Sequence, residues 1–272
     1  MKKLLLATAL ATTALAPAPV AARDSAFYIE LDGGVMKVED FDFDVGTVNN
    51  AVQLENDDPG YDFGGIAGYD FGALRIEGEV GYRGVDNDEL TSVITVPATG
   101  NTTGFAAPGT FDAGGDSTVL SLMLNGLVDF GDDDGLQFFA GGGVGKAKVD
   151  LDTSINAAGP GFIDDDDWGL AWQLLAGVRA PLSDNIDVGV KYRFFNVRNV
   201  DFTDTAGRDV DADWRSHSLL GTFAVNFGGG REEMPEVAPA PVYTPPPPPP
   251  PAPPVYTPPP APEPTAKPGE RG

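Results

Sequence analysis

Leu74-Arg75-Ile76-Glu77-Gly78-Glu79-Val80-Gly81-Tyr82-Arg83 alternates without a slip. Leu74, Ile76, Val80 and Tyr82 fall on one parity, and Arg75, Glu77, Glu79 and Arg83 on the other. Successive side chains of a β-strand point to opposite faces, so this stretch reads as a strand with one apolar and one charged face. Just before it, Tyr61, Phe63, Ala67, Tyr69 and Phe71 oppose Asp62 and Asp70. Only Gly72-Ala73 separates the two runs, a pair suited to a two-residue hairpin with Gly first.

The same period runs from Ser25 to Phe227. Phe27, Ile29, Leu31 and Val35 oppose Tyr28, Glu30, Asp32 and Met36. Later runs set Leu120, Leu122, Leu124 and Val128 against Ser121, Asn125 and Asp129, and Leu170, Trp172 and Leu174 against Gln173. Val188, Val190, Tyr192 and Phe194 oppose Asp187, Lys191 and Arg193, and Leu219, Phe223, Val225 and Phe227 close the series. This gives about eight strands of roughly ten residues, the length of a tilted membrane-crossing strand. Short connections (Gly72-Ala73, Gly131 to Gly135, Pro181 to Asn185) alternate with long ones near 39–60, 86–116, 150–167 and 199–213. Outer-membrane barrels have short periplasmic turns and long external loops. Aromatic residues near strand ends (Phe71, Tyr82, Phe130, Trp168, Phe227) suit interfacial girdles. A soluble barrel or sandwich would put the apolar face inside. The expected fold is therefore all-β, an eight-stranded antiparallel up-and-down transmembrane β-barrel.

The flanks differ from this body. Lys2 and Lys3, the apolar run Leu4 to Leu15 and the small residues Val20-Ala21-Ala22 make residues 1–22 a signal peptide. The barrel then occupies residues 23–230, and residues 231–272 form a proline-rich tail that includes the unbroken run Pro245 to Pro251. Such a tail forms polyproline II or stays disordered, and could extend on the order of 120 Å. Export places the protein in the outer membrane, with both termini in the periplasm for an even strand count.

Composition excludes several classes. A net charge of −24 and the lack of a basic stripe argue against nucleic acid as a partner. With no Cys, disulfides and thiolate metal sites are excluded. The run Gly141 to Lys146 departs from a phosphate-binding loop, because Ala140 and Ala147 stand where Gly and Ser or Thr are needed. His217 is flanked by Ser216 and Ser218, which point to the opposite face, so no nucleophile–base pair is expected and the protein is read as non-enzymatic. No cofactor is implied.

Two sets of candidate site residues remain. Glu30, Asp32, Asp70, Arg75, Glu77, Glu79, Arg83, Arg179, Asp187, Lys191 and Arg193 share the lumen parity. An eight-stranded barrel has just enough interior for side chains, so these charges are expected to pair and plug it. Asp40, Asp42 and Asp44 alternate with Phe41 and Phe43, and Asp164, Asp165 and Asp166 lie in an acidic run. Both are secondary candidates for calcium or magnesium, although Val45 and Ala51 break an EF-hand pattern.

Residues 1–230 resemble the barrel of the outer membrane protein A family, especially its alphaproteobacterial members. The resemblance is carried by Ser121-Leu122-Met123-Leu124-Asn125, by Ala140-Gly141-Gly142-Gly143-Val144-Gly145, and by Ala176-Gly177-Val178-Arg179 through Ser183-Asp184-Asn185. Lys191-Tyr192-Arg193-Phe194 and the closing Asn226-Phe227 add to it, Phe227 being the barrel's C-terminal signature. The resemblance implies a structural, envelope-integrity role and a monomeric barrel in outer-membrane lipid, inserted by the barrel assembly machinery. The alternatives are a porin-like channel for small solutes or ions, and a surface adhesin or receptor acting through the long loops. The tail is similar to that family's linker, while the family's peptidoglycan-binding domain has no counterpart up to Gly272. Peptidoglycan or a periplasmic protein is the partner expected for the tail.

Overall fold

The computed structural model describes residues 26–56, 58–97, 104–131, 135–155 and 161–227. The expected signal peptide, the proline-rich tail and most of the Gly131 to Gly135 turn lie outside the described residues. The described chain is all strand and turn. In chain order its strands are β1 (Ala26–Val38), β2 (Phe41–Val45), β3 (Val48–Glu55), β4 (Gly60–Asp70), β5 (Leu74–Asp86), β6 (Glu89–Ser92) and β7 (Val96–Pro97). There follow β8 (Phe105–Ala106), β9 (Gly109–Gly114), β10 (Asp116–Phe130), β11 (Gln137–Ile155), β12 (Ile163–Ser183), β13 (Ile186–Thr203) and β14 (Asp209–Phe227).

Among the described residues fourteen strands thus stand where eight were expected. The difference arises in the connections. The spans 39–60 and 86–116, read as loops, contain β2, β3, β6, β7, β8 and β9, while β11 to β14 run on into the two other long connections. All strand pairings among the described residues are antiparallel. The eight longest strands pair in the order β1-β4-β5-β10-β11-β12-β13-β14, and β14 pairs back onto β1. A second set of pairings, β14-β2-β3-β6-β9-β11, closes another ring with the far ends of β11 to β14. β7 and β8 form a separate hairpin.

The two rings form one wall interrupted at a common level. β1 gives way to β2 at Glu39-Asp40, β3 to β4 near Asn56, β5 to β6 at Asn87-Asp88, and β9 to β10 at Gly115. Buried Asn87 stitches this level: its Nδ2 donates to Asp152 O and Thr153 Oγ1 at 2.9 Å each, and Ser117 Oγ donates to its Oδ1 at 2.8 Å. At the opposite, proximal end the turns are tight. Gly72 adopts φ +98°, the Gly-first geometry of a two-residue hairpin.

Polarity inverts across the interruption. Proximal to it, Phe27, Leu31, Ile76, Leu122, Leu124, Leu174 and Leu219 face outward and exposed, while Glu30, Arg75, Glu79 and Arg193 are buried inside. Distal to it, Phe41, Phe43, Leu54, Leu90, Phe162, Phe202, Val210 and Trp214 pack into one apolar core. There Asp42, Asp150, Asp152, Asp164, Asp209 and Asp211 face outward. Burying each such Leu or Phe contributes roughly 1.5–3 kcal/mol, so the distal ring is held by ordinary core packing.

Candidate functional site: the charged lumen

The proximal interior is a network of ionised and amide side chains supplied by almost every strand of the ring. Alternation aims these residues inward, and all eleven predicted lumen charges are buried. Arg193 on β13 stands at its centre with 0% exposure. Its Nη1 donates to both oxygens of Asp62 (2.8 and 2.9 Å), and its Nη2 lies 2.9 Å from Asp32 Oδ2 and 2.8 Å from Glu79 Oε1. Those carboxylates belong to β4, β1 and β5, none of which neighbours β13. The bonds therefore cross the interior rather than follow the wall. Lys191, two residues earlier, pairs with Glu30 at 2.8 Å and Asp32 at 2.5 Å.

Amides and hydroxyls complete this tier. Glu79 Oε2 accepts from Asn125 Nδ2 at 2.8 Å and Gln173 Nε2 at 2.9 Å, while Ser218 Oγ donates to Asp62 at 2.7 Å. Arg83 is held more loosely. Its Nε lies 3.4 Å from Asp62 Oδ1 without hydrogen-bonding alignment, and its guanidinium stacks 3.6 Å from the Phe195 ring centroid. A second tier lies nearer the proximal turns. Arg75 grips Asp129 with Nε and Nη2 at 2.7 and 2.9 Å. Arg179 reaches Asp70 at 2.9 Å, Asp129 at 3.3 Å and Gln137 at 2.6 Å. Tyr28 donates to Glu77 at 2.5 Å and joins the two tiers. Asp187 accepts from Asn226 at 2.9 Å.

Asp62 and Asp129, on the inward parity in the sequence but not among the predicted site residues, are full members. So are the uncharged Tyr28, Asn125, Gln173 and Ser218, and Gln137, which the sequence expectations do not include. Their signal was the parity itself. Neutral polar side chains on a lumen face carry the same information as charged ones once the interior is known to be polar.

The acidic metal candidates take other roles. Asp44 Oδ1 accepts from Asn50 N at 2.7 Å, while Asp40 and Asp42 are exposed along an open groove of about 430 Å³. Asp165 and Asp167 accept from the backbone N–H of Thr203 and Asp201 (2.8 and 3.1 Å), Asp166 pairs with Lys148, and Asp164 is exposed. Among the described residues no three His, Cys, Asp or Glu side chains are placed to hold a metal. The groove includes Asp211, whose carboxyl is held above the usual range by a hydrogen bond with Asp201, by partial desolvation and by repulsion from Asp201, Asp44 and Asp209. His217 faces outward, 2.7 Å from the Tyr192 hydroxyl and 2.9 Å from Glu39, while Ser216 and Ser218 are buried on the other face.

A polar interior inside an apolar outer wall is the arrangement of a protein whose solvent is lipid. The family model for the outer membrane protein beta-barrel domain matches residues 4–227. The chain belongs to that family. It is an outer-membrane β-barrel protein. A candidate adhesin of Rickettsia prowazekii (strain Madrid E) is 29% identical over 116 residues, which cover 41% of this chain and 51% of that protein. The chain thus spans about half the length of that curated relative. Among solved structures, the outer membrane protein OprG from Pseudomonas aeruginosa is 17% identical, with a TM-score of 0.49 over 78% of this chain and all of that one. Neisserial surface protein A is 19% identical, with a TM-score of 0.43 over 74% and 97% of the two chains.

Proposed function

We propose that this outer-membrane protein is a closed, non-enzymatic, structural barrel: eight membrane-crossing strands around a lumen plugged by paired charges. The observation that carries the reading is Arg193, fully buried and bound to three carboxylates from strands across the interior. A guanidinium fixed in this way fills the cross-section, and removing it would strand several buried charges.

The outer wall supports the membrane assignment. On β4 with the residue after it, and on β5, β10 and β14, the outward apolar residues span eight to ten steps, from Tyr61 to Phe71, Leu74 to Tyr82, Leu120 to Phe130 and Leu219 to Phe227. At about 3.4 Å per residue and a tilt of 35–45°, that is a band of roughly 19–28 Å, against about 25 Å for outer-membrane barrels. The proximal turns and both ends of the ring then face the periplasm, and the distal ring projects outward. A tail entering the periplasm has peptidoglycan or a periplasmic protein within reach. Insertion by the barrel assembly machinery as a monomer fits a ring with no open edge.

The test is conductance in planar bilayers. The refolded chain should give no steady ion current. A stable single-channel current altered by Arg75→Ala or Glu77→Ala would replace the plug with a channel.

A further inference from the structure

The described Lys and Arg residues fall into two main groups. Arg75, Arg83, Arg179, Lys191 and Arg193 lie in the lumen. All the others except Arg208 lie on the outer wall, at the level where it changes from apolar to acidic. Lys146 on β11 and Arg198 on β13 belong to one row there. Leu170 of β12 is the direct register partner of both. With strands about 4.8 Å apart, their Cα atoms are about 10 Å from each other.

Three features make this row unusual. Both cations are exposed, and neither forms an ion pair among the described residues. Leu170 between them is 67% exposed, with Trp168 at 47% on the same outward face and Trp172 two residues on. A β-bulge between Val197 and Val200 turns both Arg198 and Asn199 outward, taking Arg198 out of the β13–β14 ladder while it stays in register with Leu170 of β12. One step distal, Lys148 is already paired with Asp166 at 2.9 Å, and Asp150 lies opposite Asp166. Carboxylates therefore repel an anion above the row, and hydrocarbon excludes it below.

We infer that Lys146 and Arg198 clamp the phosphate headgroup of an anionic lipid whose acyl chains lie along Leu170, Trp172 and the apolar wall beneath. Two cations an interstrand step to either side of an apolar residue match an amphiphile with charge at one end. A freely diffusing phosphate would leave Leu170 and Trp172 without a partner. This rests on the membrane assignment above, so the experiment separates the two.

The protein is refolded into phosphatidylcholine bilayers containing a minor fraction of brominated phosphatidylglycerol, or the same fraction of brominated phosphatidylcholine. Trp168 and Trp172 lie on the outward face and Trp214 is buried, so bromine quenching reports contact at this row. Each interfacial cation is worth roughly fivefold in local preference, so the anionic lipid should occupy the row at least about fivefold above its bulk fraction. That preference should vanish in Lys146→Gln/Arg198→Gln and persist in Arg208→Gln, which lowers the net charge elsewhere. Heat-dependent gel migration checks that each variant is folded. Equal quenching by the two brominated lipids, a preference unchanged in the double variant, or displacement of the lipid by millimolar inorganic phosphate would each overturn the assignment. Quenching by neither lipid in a folded protein would instead overturn the membrane reading.

Discussion

Arg193 carries more of the lumen than any other single side chain. Its guanidinium is shared by Asp62, Asp32 and Glu79, and each also accepts from Lys191, Ser218, Asn125 or Gln173. Arg193→Ala leaves that acidic cluster buried without its main counter-charge. Breaking one partner of a buried pair costs about 3–5 kcal/mol, so the urea midpoint of the refolded barrel should fall by that equivalent. Arg83→Gln should cost visibly less, since Arg83 makes one long hydrogen bond to Ser121 (3.4 Å) and stacks on Phe195. Equal losses in the two variants would mean that the network does not pivot on Arg193. At this scale the sequence was highly informative. Parity put the eleven named charges inside, because a strand offers only two faces. It could not rank them, because cross-lumen pairing depends on which non-neighbouring strands face each other.

Between elements, the distal ring is the part that the sequence pattern conceals. Phe41, Phe43 and Val45 alternate with Asp40, Asp42 and Asp44, a strand pattern as regular as that of β5. The sequence nonetheless reads there as a loop with metal candidates, for two physical reasons. The break at Glu39-Asp40 shifts the phase by one residue, and the polarity of the faces is reversed relative to β1. Reversed polarity also puts like charges side by side. Asp201 on β13 is the register partner of Asp211 on β14, which is in turn the partner of Asp44 on β2. Like charges directly opposite destabilise a sheet. Asp211, its carboxyl held above the ordinary 3.8, stays protonated to a higher pH in the folded state than in the unfolded one. Its contribution is therefore favourable below the ordinary carboxylate pKa and is lost as pH rises through the raised value. Asp211→Asn should stabilise the protein at pH 7, by a few tenths of a kcal/mol for so exposed a group. The gain should disappear as the pH is lowered toward 4. A gain that is the same at both pH values would show that repulsion is not its source.

For the whole molecule, the decisive property is that one continuous wall has two opposite polarities. Strand β11 shows it without any break: inward residues run from Gln137 through Gly143 to Val149 and Leu151, while outward ones change from Phe138 and Val144 to Lys146, Lys148, Asp150 and Asp152. A soluble barrel would keep the distal pattern along its whole length, and a fully embedded one would keep the proximal pattern. On the membrane assignment proposed above, the change puts the water boundary on β11 between Val144 and Lys146. The chain has no Cys, so single thiols can be introduced at Leu124, Val144, Leu174 and Leu219 on the proximal wall and at Asp150, Thr110 and Asp209 on the distal one. Refolded into bilayers, the distal thiols should react with a charged, membrane-impermeant maleimide as fast as in detergent-free unfolded chain. The proximal thiols should be protected by orders of magnitude, because the reagent's charge is excluded from hydrocarbon. Protection should end within one outward position on β11, between Val144→Cys and Lys146→Cys. A gradual decline along the strand, or equal reactivity at Leu124→Cys and Asp150→Cys, would contradict a boundary fixed by side-chain polarity. A sharp boundary would mean that the two rings are built for different solvents, the proximal one inverted for lipid and the distal one packed like any water-soluble β-fold.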